Sequence, residues 1–426
     1  MKTINEIKQL LTTQEGKDIL HKVYLCDDVE YGKQVKRYTD LLDRYTSIFK
    51  EGEVEIYSAP GRSEVSGNHT DHQCGKVLAA SINLDAIAVV AKDDHIVTIV
   101  SEGFEIKPVD LNDLTIHDDE AGTSEALIRG VAARLKELGY HIGGFKAVMT
   151  SSVLSGSGLS SSAAFEVLIG TIISHLYNHG EIDSVLIAQV AQYAENVYFK
   201  KPCGLMDQCA CSVGGFISID FYDNTEPVVK KLDFDFDETG YQLCITDTKG
   251  DHANLTPEYA AVPAEMKAVA KYLGKEVLSH CDENEFYTKI KEIREKVGDR
   301  AVLRAIHLFS ENRRVDQLNE CLAKGDIDNF MKIIKESGRS SFMYLQNIYA
   351  NIEAHNQPVS IGLAVSEHLL GSSGAYRVHG GGFAGTIQAF VKENEVARFK
   401  KAMEDIYGEG SCYVLKIRNL GGVKVI

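Results

Sequence analysis

Ser155-Gly156-Ser157-Gly158-Leu159-Ser160-Ser161-Ser162-Ala163-Ala164 joins two segments of different periodicity. Before it, residues 144–150 form a strand-like run. After it, residues 163–177 carry Phe165, Leu168, Ile169, Ile172, Ile173 and Leu176 at helical spacing, and Asn178-His179-Gly180 supplies a stop. The element reads strand, Gly/Ser loop, helix. Its glycines let backbone N–H groups converge on one point, and the helix that follows offers unpaired N–H groups and the positive end of its dipole. That arrangement suits a phosphate, and the serine hydroxyls suit phosphate oxygens or a magnesium ion. A flexible linker has the same composition, but a linker is not wedged between a strand and an apolar helix without a spacer. The chain contains no G-x-x-x-x-G-K-[ST], so the loop is not the common P-loop.

With 426 residues the chain is too long for one core, and two domains are expected. The boundary is placed at the glycine pair Gly214-Gly215, giving residues 1–217, with 1–30 as a helical extension, and residues 218–426. The net charge of −16 argues against nucleic acid or an anionic membrane as partner, since both need a basic face. Nine scattered cysteines point to reduced thiols and a cytoplasmic setting. Cys203, Cys209 and Cys211 lack a C-x-x-C pair, which disfavours a metal site there. No signal-peptide core and no apolar run of membrane-spanning length is present.

Residues 1–50 read as helical. Residues 53–59 alternate as a strand and lead into a polar loop over 59–72, where His69-x-x-His72 lacks a third clear metal ligand. A helix capped at Thr123 or Ser124 carries Leu127, Val131, Leu135 and Leu138 and stops at Gly139. Another, capped near Asp183, shows Leu186, Val190, Tyr193 and Val197 on one face, which leaves Glu195 free to face solvent or a site. Pro202-Cys203-Gly204-Leu205-Met206-Asp207-Gln208 is a turn ending in a carboxylate and an amide; spacing leaves open whether Asp207 is structural or functional. Gly250-Asp251-His252 opens a polar loop that ends near Tyr259. Residues 261–337 are mostly helical, and the last sixty or so read as a βαβ-like unit after a glycine-rich turn.

Four segments in order resemble the GHMP kinase family, specifically its galactokinase-type sugar 1-kinases. They are Pro60-Gly61-Arg62 with His69-Thr70-Asp71, Gly156 through Ala163, Gly204-Leu205-Met206-Asp207-Gln208, and Gly380-Gly381-Gly382-Phe383-Ala384-Gly385. The resemblance implies a two-domain α+β fold: a ribosomal-protein-S5-like N-terminal domain, a ferredoxin-like C-terminal domain, and an active site between them. It implies ATP and Mg²⁺, with Gly156, Ser157, Gly158, Leu159, Ser160, Ser161, Ser162 and Ala163 on the phosphates. Asp207 becomes the general base, with Arg62 steadying it and the transferring phosphoryl group. Ser162 and Glu195 become magnesium ligands. Asn68, His69, Asp71, Gly204 and Tyr259 fall where the family holds the sugar.

The chain departs from the family at Leu154, at Ser63-Glu64-Val65-Ser66 and at Asn68, which replaces a glutamate. The first two are expected to alter loop packing only. The third touches the substrate, so Asn68→Glu is expected to preserve or improve galactose turnover. The expected reaction is phosphorylation of the anomeric hydroxyl of galactose by a monomer or weak homo-oligomer. Galacturonate, N-acetylgalactosamine or L-arabinose as substrate is the alternative, and a catalytically silent sugar sensor is a third reading. The intact Arg62, Ser160 to Ala164 and Asp207 speak against the sensor.

Overall fold

The computed structural model describes residues 1–153, 158–223, 225–250 and 255–426. Gly156 and Ser157 of the expected phosphate loop, Leu154 before them, and Asp251 and His252 lie outside the described residues.

The chain opens with strand β1 (Lys2–Thr3) and helices α1 (Ile4–Leu10), α2 (Gln14–Tyr24) and α3 (Asp28–Phe49). Strands β2 (Glu53–Ser66), β3 (Lys76–Lys92), β4 (Ile96–Ser101) and β5 (Val109–Asp110) follow, then α4 (Ser124–Glu137) and β6 (Phe145–Ser151). Helices α5 (Ser161–Asn178), α6 (Ser184–Tyr193) and α7 (Met206–Val213) lead to β7 (Phe216–Asp220) and β8 (Val228–Leu232). The remainder is β9 (Tyr241–Asp247), helices α8 (Thr256–Tyr272), α9 (Glu283–Thr288), α10 (Ile290–Val297), α11 (Asp299–Lys324), α12 (Ile327–Ser340) and α13 (Pro358–Leu370), strands β10 (Ala375–Val378) and β11 (Thr386–Lys392), α14 (Val396–Tyr407), β12 (Cys412–Leu415) and β13 (Val423–Lys424).

The first sheet runs β1-β2-β3-β6-β4-β5, with β13 beside β2 and the β7–β8 hairpin beside the start of β3; only β4 and β6 pair in parallel. Its strands are apolar on both faces because helices cover both. Tyr57, Ala59, Ala88 and Met149 face α4, α5 and α6, whereas the alternate residues Ile56, Ile87, Val89 and Val148 face α1 to α3. Residues 1–50 are thus a layer of the sheet's core.

Two sequence expectations change here. The segment 59–66, expected as loop, is strand: β2 runs through it, bulging between Pro60 and Arg62 and again between Glu64 and Ser66. Proline cannot donate to a ladder, and a bulge is where a strand tolerates it. The expected boundary at residue 217 falls inside β7, which with β8 belongs to the first sheet. Gly214 and Gly215 mark a close approach of the backbone to residues 419–421, and both have positive φ (79° and 70°).

The second sheet is antiparallel throughout, in the order β12-β9-β11-β10. Counted from its own first strand, that is the 4-1-3-2 order of a ferredoxin-like sheet. The C-terminal βαβ unit is therefore split, with β9 lying between β11 and β12. One apolar core runs from Tyr57 and Ile173 under the first sheet to Leu243, Ile245 and Phe390 of the second. The cleft between the halves stands on that shared core.

Candidate active site

Arg62 lies on β2, where its backbone N–H donates to the Leu159 carbonyl at 3.1 Å and its Nη1 donates to the Gly158 carbonyl. A Cβ on Gly61 would stand 2.8 Å from the Leu159 carbonyl oxygen, so only glycine lets strand and loop approach this closely. The rest of the guanidinium grips Asp207 in the first turn of α7: Nε donates to Oδ1 at 2.7 Å and Nη2 to Oδ2 at 2.8 Å. Ser160 adds its hydroxyl to the same Oδ2. Ser160 is the N-cap of α5 and sits in the left-handed region (φ 61°, ψ 60°), a cost that a surrounding site must hold in place.

Burial favours the neutral acid at Asp207, but Arg62 and the Ser160 hydroxyl outweigh it, so the carboxyl lies below its usual range and stays ionised. Its side chain is one-third exposed while Arg62 is buried. The carboxylate therefore opens on a cleft of about 230 Å³ that Arg62, Asn68, His69, Asp71, Gly204 and Asp207 all line. Gly204 lets Asp71 approach closely, since a Cβ there would lie 2.7 Å from Asp71 Oδ2 and displace that carboxylate. His69 has φ 61° and its Nε2–H donates to the Gly381 carbonyl at 2.9 Å; burial, against that bond, pulls its pKa down. The first sugar-motif segment, the Gly204 turn and the C-terminal glycine turn thus meet at one cavity.

Of the other expected site residues, Tyr259, Ser161, Ser162 and Glu195 stand apart from it, and Asn68 lines it with its amide already engaged. Tyr259 is not among the lining residues; its hydroxyl donates to the Gly382 carbonyl at 2.8 Å and its ring packs on Phe383, bracing the glycine turn. Ser161 and Ser162 occupy the first turn of α5, with Ala163 buried behind them. Glu195, left free by its spacing to face solvent or a site, does not face solvent: it is buried in a π-helical turn over Ala194–Tyr198. It accepts from Gln208 Nε2 at 2.8 Å and Lys201 Nζ at 3.1 Å. Asn68 is fully buried with its amide in use: Nδ2 donates to Glu64 Oε1 (3.0 Å) and the Gly380 carbonyl (2.6 Å), while Oδ1 accepts from Asn347 (2.8 Å) and Ser341 (3.3 Å).

Sequence reading missed three groups. Glu64 lines the cleft beside Asn68. His379, neutral because burial and the guanidinium of Arg62 push its pKa down to about 3, accepts from the Glu64 backbone N–H at 3.3 Å and ties β10 to β2. Glu166 on α5 accepts from Gln208 at 3.2 Å, and burial with Glu195 nearby holds its carboxyl well above the usual range. A single glutamate inside the apolar run 163–177 was the available signal for Glu166.

These groups fit a hard divalent cation. Glu195 is a buried carboxylate, and the nearby Glu166 Oε1 and Gln208 Oε1 have no hydrogen-bond partner among the described residues. Among the described residues, no three His, Cys, Asp or Glu side chains converge on one point. A magnesium ion would therefore take most of its ligands from phosphate and water, as this ion commonly does. Cys203, Cys209 and Cys211 form no such group either.

Comparison with known proteins agrees with the geometry. Residues 126–215 match the GHMP kinases N terminal domain, and residues 43–92 match the galactokinase galactose-binding signature. The galactokinase of Streptomyces coelicolor is 30% identical over 373 residues, covering 86% of this chain and 92% of the relative. The chain belongs to the galactokinase-type GHMP kinases. The galactokinase of Lactobacillus helveticus is 29% identical over 88% of this chain and 95% of its own length. Among solved structures, the galactokinase of Lactococcus lactis complexed with galactose superposes with a TM-score of 0.75 at 24% identity, over 90% of this chain and 98% of that one. The mevalonate kinase of Methanococcus jannaschii reaches 0.60 at 15% identity, covering 86% and 99% of the two chains, which shows a shared fold.

Proposed function

We propose that this kinase transfers a phosphoryl group from ATP to the anomeric hydroxyl of galactose. The observation that carries the reading is the ionised Asp207, gripped through both oxygens by Arg62 and by Ser160, and open to a polar cleft. Phosphoryl transfer asks for positioning, charge neutralisation and a proton acceptor, with little covalent help. Asp207 accepts the proton as the anomeric oxygen gives electron density to phosphorus and becomes more acidic. Arg62 touches base and loop at once, so one guanidinium aligns the carboxylate and offsets charge at the Gly158–Leu159 end of the loop. The N-terminus of α5 turns its unpaired N–H groups toward the same end.

Ser162 and Glu195 would hold Mg²⁺, which when bound neutralises phosphate charge. Ser162→Ala should raise the magnesium concentration needed for half-maximal rate, and Glu195→Gln should raise it more. A magnesium titration unchanged in both variants removes the assignment. The cleft's acids Asp71, Asp207 and Glu64 favour a neutral sugar over galacturonate: like charges ~4 Å apart cost on the order of 4 kcal/mol at an effective dielectric near 20. The intact base and loop contacts favour catalysis over a silent sensor. A cytoplasmic location suits the nine cysteines and the acidic charge; among the described residues no helix is long and apolar enough to cross a membrane. The deciding experiment is a sugar panel with ATP and Mg²⁺, the position of the phosphate read by NMR. Galactose 1-phosphate as the best product is expected; a higher kcat/KM for another sugar replaces galactose in this reading.

A further inference from the structure

Glu64 stands two residues after Arg62 on the same strand, in a stretch of unbroken ladder where Arg62, Ser63 and Glu64 pair with Ser81, Ala80 and Ala79. Alternate strand residues share a face, so the Glu64 carboxyl is offset from the Arg62–Asp207 pair by about 7 Å along β2. Its side chain is only 8% exposed, and it lines the cleft. Oε1 is taken by Asn68 Nδ2 at 3.0 Å and Arg377 Nη2 at 3.3 Å. Oε2 accepts from no group among the described residues. Asn68, by contrast, has both amide hydrogens and its oxygen committed inside the protein, so a new partner would displace an existing one.

Oε2 is not sealed in the interior but opens on the cleft, and a sugar presents hydroxyl donors to such an acceptor. Burial raises the Glu64 carboxyl to about 7, with Arg377 and Arg62 pulling it down and Asp71 pushing it up; a hydroxyl donating to Oε2 would stabilise the ionised form. We propose that Glu64, rather than Asn68, receives a sugar hydroxyl remote from the anomeric carbon and so helps set sugar specificity, with Asn68 and Arg377 holding its carboxylate in position. This rests on the galactose reading above, and it assigns a recognition role within the segment 63–66, whose sequence suggested only packing.

The test is steady-state kinetics of the parent, Glu64→Gln and Glu64→Asp on galactose and its 2-, 3-, 4- and 6-deoxy analogues. Glu64→Gln is expected to lower kcat/KM on galactose about tenfold or more, mainly through KM, as loss of a charge-assisted hydrogen bond does. That penalty should vanish on the one analogue that lacks the hydroxyl Glu64 holds, and persist on the others. Glu64→Asp keeps the charge for Arg377 but withdraws it by one methylene, so it carries the same analogue-specific test if Glu64→Gln folds poorly. A penalty equal on every sugar, or absent, overturns the proposal and leaves Glu64 as packing. A parent inactive on galactose refutes the galactose reading instead, a result visible before any variant is made.

Discussion

Two aspartates in this kinase are each held in their ionised form by arginine, and they differ in what surrounds them. Asp85, fully buried on β3, accepts from Arg37 at 2.6 Å, Arg418 at 3.1 Å, Tyr24 at 2.7 Å and Ser58. These partners come from α2, α3, β2 and the segment before β13, so the network fastens the N-terminal helices and the C-terminus to the first sheet. Among the described residues Asp207 accepts from Arg62 and Ser160 alone, and one-third of its side chain is exposed. In both, burial raises the carboxyl pKa, and the arginines win, leaving it low. The difference is the open side. A closed network converts charge into attachment, and an open one leaves a charge facing the cleft.

The sharpest way to break this contrast is at Asp207. Asp207→Asn keeps the shape and removes the proton acceptor, so kcat should fall by about 10²–10⁴ while sugar and nucleotide still bind by calorimetry. A rate within tenfold of the parent would remove Asp207 from the role of base. Asp85→Ala should do the reverse. Leaving Arg418 buried without its partner costs about 3–5 kcal/mol of stability, read by urea unfolding, with kcat of the folded enzyme nearly unchanged. If its kcat falls as far as that of Asp207→Asn, the two regions are not separable.

Asn68 tests whether a site residue can belong to the closed kind. A carboxylate at position 68 would face the Gly380 carbonyl and the Glu64 carboxyl that Nδ2 now serves. The structure thus reverses the sequence expectation: Asn68→Glu should lower kcat/KM on galactose by roughly tenfold or more, by burying an unpaired charge. Preserved or improved turnover would show that the local network rearranges freely.

The smallest effect is in acid. A carboxyl whose folded pKa lies below its unfolded value contributes stability above the unfolded value, and loses it as pH falls through the folded one. Asp85 has an ordinary value of 3.8, so its contribution should hold from neutral pH to about 4 and fade below. In that window the urea midpoint of Asp85→Ala should decline less steeply than the parent's. Parallel declines would mean the arginines lower the Asp85 pKa equally in the unfolded chain.

Much of the site was legible locally. The loop over 155–164, the turn around Gly204, the glycines at 380–382 and the pair His69 and Asp71 announce themselves because close backbone approach and polar clustering restrict residue choice at each position. The helices were readable from their caps and stops, as at Thr123 and Asp183, and α5 ends at His179 in the left-handed region before Gly180. Beyond the reach of local pattern lay every relation between distant segments. Pro60 suggested loop until β3 was seen beside it, with bulges absorbing the missing donor. Residues 216–232 suggested a new domain until their partner proved to be β3. Composition and periodicity determined that this chain builds helices against sheets and joins a strand to an apolar helix through a Gly/Ser-rich stretch. Only the tertiary structure decided that Glu64 faces the cleft, that Asn68 is saturated and that Glu195 is buried. Each of those facts is a matter of which hydrogen-bond partners a side chain finds, and those partners lie as many as 313 residues away along the chain.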